Sequence, residues 1–266
     1  MRILISNDDG ILSPGLAALY AAVADMGEVH VVAPDSPQSA AGHSITLRHP
    51  LVIQPVKVCS PQPFTGSSVN GRPADCVRLA IRNLLPSPPD LVLSGINEGA
   101  NIGINVFYSG TVAAAAEAAM FGIPAVAFSA SMVGGGDFAR AAKLCRAVLD
   151  SLLDTQANPP GLGRGDLINV NIPALTGENP RGLCVVRQST AGLEDLYYPV
   201  VDDQGRQSYR LGEAYKFVGG SEEDTDVIRL AEGYVTVTPL HVDMTNHDRL
   251  PTLEKVRWPD VNARKA

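Results

Sequence analysis

Short apolar runs alternate along this chain with longer stretches of helical period. Ile3, Leu4 and Ile5 are too few for a helix and rich in β-formers, which predicts a buried strand. LAALYAAVADMG at 16–27 follows as a helix, and Val29, Val31 and Val32 mark a second strand ending at Ala33-Pro34-Asp35. Residues 51–70 alternate as short strands broken by Pro55, Pro61 and Pro63. Val77, Ile81, Leu84 and Leu85 recur at helical spacing, and Pro86 ends that helix. PDLVLSG at 89–95, PAVAFSA at 124–130 and DLINVNIP at 166–173 are compact buried strands, the third expected to be the last of the core. Between them lie an alanine-rich helix from Thr111 and an amphipathic one, FARAAKLCRAVLDSLLD at 138–154. A loop through Asn158-Pro159-Pro160 leads to the third strand. Alternating strands and helices predict an α/β fold with a mostly parallel sheet flanked by helices.

Beyond Pro173 the pattern changes. CVVRQ at 184–188, then LYYPVV and RQSYRL around Asp203-Gln204-Gly205, predict antiparallel strands and a C-terminal β-hairpin extension. An acidic turn over 219–226 precedes a short helix through Glu232, with Asp224 expected as its cap. GYVTVTPL makes a final strand, and WPDVNARKA has no periodicity.

Composition narrows the class. Hydrophobic residues at 45% and charged ones at 18% describe an ordinary globule. A formal charge of −7 argues against non-specific binding to a nucleic acid polymer or an anionic membrane surface. Cys59, Cys76, Cys145 and Cys184 lie far apart and match no zinc spacing, as expected for reduced thiols in a cytoplasmic protein. No apolar run is long enough to span a bilayer.

Two stretches carry chemistry. The first strand stops at Asn7, Asp8, Asp9 and Gly10, where Gly10, Ser13, Pro14 and Gly15 supply a turn. Two ionised carboxylates ~4 Å apart at an effective dielectric near 20 repel by about 4 kcal/mol, so a paired site wants a cation or a shared proton. Oxygen donors without thiolates or paired histidines suit magnesium or manganese; the plain alternative is a solvated Asp-Asp turn. The second stretch, SGINEGANIGINVFYSGTV, is crowded with Gly and Asn and ends at Ser109-Gly110-Thr111, where the alanine helix begins. Such a helix start offers free amides and the positive dipole end to an anion; the plain alternative is that Ser109 or Thr111 is an N-cap. Asp35 sits where dinucleotide-binding folds keep a ribose-binding acid. However, the first turn lacks G-x-G-x-x-G, and its carboxylates would repel a pyrophosphate. The loop serines Ser36, Ser39 and Ser44 read as ordinary loop residues. His43 and His49, without partners at metal-ligand spacing, read as surface or hydrogen-bonding residues.

These segments resemble the SurE family, the survival-protein-E nucleotidases. The resemblance runs through ILISNDDG, VVAP with Gln38-Ser39, GRPADCV at 71–77, SGIN to YSGTVAAA at 94–116, NVNIP, Asp224-Thr225-Asp226 and GYVTVTPL with Asp243. It implies a metal-dependent phosphatase hydrolysing nucleoside monophosphates, a 5′-nucleotidase, with 3′-nucleotidase and exopolyphosphatase activity as further expectations. Matched position by position, it implies one divalent metal ion per subunit, Mg or Mn, held by Asp8, Asp9, Ser39 and Asn97. It also implies phosphate contacts at Asn101, Ser109, Gly110 and Thr111. It further implies a Rossmann-like catalytic core in residues 1–180, an oligomerisation region in 181–245 that makes a homodimer or homotetramer through the hairpin, and a tail in 246–266. The chain departs from the family pattern at Asn105, where an Asp is usual, and at Arg72, where a Thr is usual. Arg72 is expected to lie in solvent.

The chemistry a monoester requires is charge neutralisation, a water placed in line and a stabilised leaving oxygen. Two other readings use the same residues. Asp8 or Asp9 is a nucleophile forming an aspartyl phosphate, or the pocket is a non-catalytic nucleotide or phosphate sensor.

Overall fold

The computed structural model describes residues 1–132, 136–154, 156, 161–194, 196–212, 217–220 and 222–259. The expected loop at Asn158-Pro159-Pro160 and the last residues of the tail, 260–266, lie outside them, as do 195 and 213–216 around the expected hairpin and 221 in the acidic turn.

The chain begins β1 (Arg2–Ser6), α1 (Pro14–Val23), β2 (Glu28–Pro34), β3 (Ile53–Val58), β4 (Phe64–Val69) and α2 (Pro73–Leu79), the last extended by a π-helical turn at Ala80–Leu84. Next come β5 (Leu91–Glu98), a 3-10 turn at Gly103–Tyr108, α3 (Gly110–Met120), β6 (Ala125–Ala130), α4 (Phe138–Leu152) and β7 (Leu167–Ile172). The C-terminal third holds β8 (Leu183–Val185), β9 (Gly192–Leu193), β10 (Tyr197–Val201), β11 (Gln207–Leu211), β12 (Phe217–Val218), α5 (Asp226–Ala231), β13 (Val235–Leu240) and α6 (Leu250–Leu253).

Nine strands form one sheet in the order β3-β4-β2-β1-β5-β6-β7-β13-β8. The run from β4 to β7 is parallel, while β3 and β13 pair antiparallel with their neighbours β4 and β7. Strand alternation sorts the core into two layers. Ile3 and Ile5 face Leu16, Leu19 and Leu149 of α1 and α4. Leu4 faces Cys76 and Val77 of α2 and Ala114, Ala115 and Ala118 of α3. Alanines let α3 lie deep against the sheet, and its residues from Gly110 to Ala119 are all buried.

Three expectations for the C-terminal third are corrected. β7 is not the last core strand, because β13 and β8 continue the sheet beyond it. CVVRQ contributes β8, which pairs parallel with β13 rather than antiparallel in a hairpin; sheet order is set by tertiary packing and leaves no local signature. The cap of α5 is Thr225, while Asp224 pairs with Arg229 at 2.9 Å. The sheet therefore draws strands from both sides of residue 180. The hairpin itself is β10 with β11, joined through Asp203-Gln204-Gly205. Tyr197, Tyr198, Tyr209 and Leu211 on it are each more than half exposed.

Candidate active site

Strand order reverses at β1, with β2 on one side and β5 on the other, so the carboxyl ends of β1 and β5 open on the crevice where such sheets bind ligands. The acid pair stands at that point. Asn7, fully buried, shapes the turn: its Nδ2 donates to Gly10 O at 3.0 Å and to Ser13 Oγ at 2.7 Å. Gly10 takes a φ of 94°, which a residue with a Cβ adopts only under strain. Ser13 then caps α1 by accepting from Leu16 N at 3.3 Å.

Asp8 is 6% exposed, and Asp9, beside it, is half-buried. The two carboxyls have different neighbours. Thr111 donates its hydroxyl to Asp8 Oδ1, and the amides of Gly110 and Thr111 are also directed at that carboxyl. Asp9 Oδ2 accepts from Glu98 N at 3.3 Å, which ties it to the end of β5. Burial pushes Asp8 above the usual carboxylate range, with those donors opposing. Burial first, and then the charge of Asp8, push Asp9 up to about 6. In physical terms this is an acid pair short of positive charge.

Gly110 makes the approach possible. A Cβ there would lie 2.6 Å from the Asp8 Cβ and 3.0 Å from Pro73 Cγ. Ser109 caps α3, its Oγ accepting from Val112 N at 3.0 Å. The Ser109-Gly110-Thr111 turn thus meets Asp8 directly, and Thr111 is completely buried. Asn101 is a buried residue of the Gly/Asn loop, where its Nδ2 donates to Ser129 Oγ at 2.8 Å and its carbonyl accepts from Asn169 and Asn171. Asn97, half-buried, donates Nδ2 to Gly99 O at 2.7 Å, and its Oδ1 has no hydrogen-bond partner among the described residues. Ser39 is exposed on the loop after β2, one residue beyond Gln38, whose N–H donates to Asp8 O at 2.7 Å. Arg72 is exposed as expected, yet its guanidinium donates to Gln38 Oε1 and so touches the same loop. Asn105 is half-buried beside Gly192.

Two cavities flank this arrangement. One, of about 410 Å³, opens past Asp9 and is bordered by Asp35 and Glu98. The other, of about 360 Å³, is mostly apolar and runs along α3 from Phe107 and Ser109 to Met120 and Leu240. Among the described residues no three His, Cys, Asp or Glu side chains gather as a metal centre.

The model of the family described as survival protein SurE matches residues 3–195. The chain belongs to the SurE family. It is 44% identical to 5′-nucleotidase SurE 1 of Thermus thermophilus over 95% of this chain and 96% of that one. It is 40% identical to 5′-nucleotidase SurE of Syntrophobacter fumaroxidans over 96% and 99%. The crystal structure of the SurE protein from Aquifex aeolicus superposes with a TM-score of 0.76 at 38% identity, covering 96% of this chain and 98% of that one. In this SurE chain three residues not singled out as site candidates also shape the site. Asn7 staples the acid turn, and an Asn three residues before Gly at a strand end is its sequence signal. Asp226, fully buried, accepts from Ser189 N and Val227 N, both at 2.8 Å, and from Gly103 N at 3.0 Å. Glu117, the one charge in the alanine helix, pairs with His43 and Arg78.

Proposed function

We infer that this SurE protein is a 5′-nucleotidase, a phosphoric monoester hydrolase that converts nucleoside monophosphates to nucleoside and phosphate. The observation that carries this is near-full-length identity of about 40% to proteins named for that activity, in a chain whose acid pair stands at the strand-order reversal. No helix among the described residues is long and apolar enough to cross a membrane.

The residues fit a hard divalent cation. Burial raises the proton affinity of both acids, the charge of Asp8 raises that of Asp9 further, and a bound cation relieves the same shortage of positive charge. Because no three acids or histidines gather as a metal centre among the described residues, the remaining donors we assign are neutral oxygens, which Ser39 and Asn97 carry. We assign Asp8, Asp9, Ser39 and Asn97 to one Mg or Mn ion per subunit. When bound, such an ion withdraws charge from a phosphoryl oxygen and lowers the pKa of water.

The chain's own contribution is positioning. Thr111 fixes the rotation of Asp8 through its hydroxyl, and Gly110, lacking a side chain, lets Asp8 sit against the first turn of α3. Asp9, held by Glu98 N, faces the cleft. The helix dipole of α3 favours negative charge at Ser109, Gly110 and Thr111, and Asn101 holds the loop that leads to them. A cytoplasmic setting agrees with cysteines free among the described residues. The exposed aromatic hairpin supports assembly as a homodimer or homotetramer, since a lone two-stranded ribbon is marginal in water.

The test is phosphate release from a panel of 5′- and 3′-mononucleotides and polyphosphate, run in magnesium, manganese and EDTA. Metal-dependent release from 5′-monophosphates is expected. Nucleotide binding without phosphate release would leave only the sensor reading, and a trapped phosphoenzyme would favour the aspartyl phosphate.

A further inference from the structure

Glu117 is 3% exposed in a helix otherwise made of small and apolar residues. A carboxylate so buried is tolerated only when its oxygens are partnered. Oε1 accepts from Arg78 Nε of α2 at 3.1 Å, and Oε2 lies 2.8 Å from His43 Nε2. Arg78 alone would join the two neighbouring helices. His43 brings in a third element, the loop between β2 and β3 that carries Ser39.

Main-chain bonds hold that loop on either side of Ser39: Gln38 N donates to Asp8 O at 2.7 Å, and Gly42 N to Tyr108 O at 2.9 Å. Between them Ala40 has a φ of 54°, a left-handed conformation that a residue with a Cβ keeps only when its surroundings impose it. Ser39 is therefore carried by a strained segment whose downstream end is clamped by Gly42 and His43. The carboxylate itself is too distant for chemistry. Glu117 lies seven residues past Gly110, and a helix rises about 1.5 Å per residue, which puts it about 10 Å from the acid pair's end of α3.

We propose that Glu117 and His43 form a latch that presets the 35–44 loop and so holds Ser39 at the cation site, which makes Glu117 a positioning residue. This rests on Ser39 being a cation ligand. The test measures Mn²⁺ affinity by electron paramagnetic resonance on EDTA-stripped protein, with turnover of a 5′-monophosphate and amide exchange over residues 36–44. Ser39→Ala, His43→Gln and Glu117→Gln are compared with wild type. Both latch variants should weaken Mn²⁺ binding about tenfold, the usual size for a residue supporting a ligand. At saturating Mn²⁺ their kcat should stay within about twofold, and exchange in the loop should quicken. Glu117→Gln can fail to fold; His43, with a side chain 31% exposed, keeps the test valid. Weaker binding in Ser39→Ala with wild-type affinity in His43→Gln overturns the latch and leaves the cation site standing. Wild-type affinity in Ser39→Ala removes Ser39 as a ligand, and the latch with it.

Discussion

Thr111 donates its hydroxyl to Asp8 Oδ1, joining the first turn of α3 to the end of β1 across 103 residues of sequence. Its side chain is fully buried and given to the acid, so the helix start serves the carboxylate before it serves any substrate. Thr111→Val keeps the shape and the amide but removes that donor. A hydrogen bond to a charged group is worth about 1.5–3 kcal/mol, so kcat/KM should fall tenfold or more, on the order expected from that loss. Steady-state kinetics beside a thermal melt check this. Wild-type kinetics with a lowered melting temperature would make Thr111 a structural residue only.

Asp9→Asn removes one charge from the acid pair. Turnover should be lost or return only at high manganese, with the metal-free protein as stable as wild type or more so. Wild-type turnover at micromolar metal would end the case for this pair as the catalytic centre.

The same acid sets a pH dependence. Asp9 moves from 3.8 to about 6 on folding without metal, so the native state holds its proton where the unfolded chain has lost it. Stability from this group is full below about pH 4 and is lost as pH rises through about 6. Asp8, also raised, acts in the same direction. Melting temperatures of EDTA-treated wild type and Asp9→Asn should therefore diverge in the variant's favour between those pH values. Parallel curves would refute the assigned shift.

Asp226 bonds three main-chain N–H groups from two distant loops and its own helix. Asp226→Ala strands those donors in the interior, at about 1–3 kcal/mol for each buried group left unpaired. A total of about 3 kcal/mol lowers the melting temperature of a protein this size by roughly 6–12 °C. A change below about 2 °C would show that water replaces the carboxylate.

Removing residues 196–212 deletes the ribbon of β10 and β11 with its exposed tyrosines. The variant should sediment as a smaller species than the full chain. An unchanged oligomer would assign assembly to another surface.

Much of the fold was legible because strands and helices write different periods into the sequence. Ile3-Leu4-Ile5, the alanine helix and the β10–β11 hairpin all stand where their patterns put them. The acid pair was legible for the same local reason: a strand that stops at Asn7-Asp8-Asp9-Gly10 must turn there. Pairing between distant strands was not, and so β13 and β8 extend the sheet past β7 without any signal in their own residues. The partner of Thr111 was hidden likewise, since N-cap, phosphate donor and carboxylate donor share one local sequence. Only tertiary packing chose Asp8, because a Gly110 without a Cβ lets the helix start close onto the end of β1. Glu117 went unread in the sequence although it is a lone charge among alanines, and what neutralises it lies 39 residues back at Arg78 and 74 back at His43. A buried charge announces that it needs partners; which ones it finds is decided by the fold that brings them within 3.1 Å.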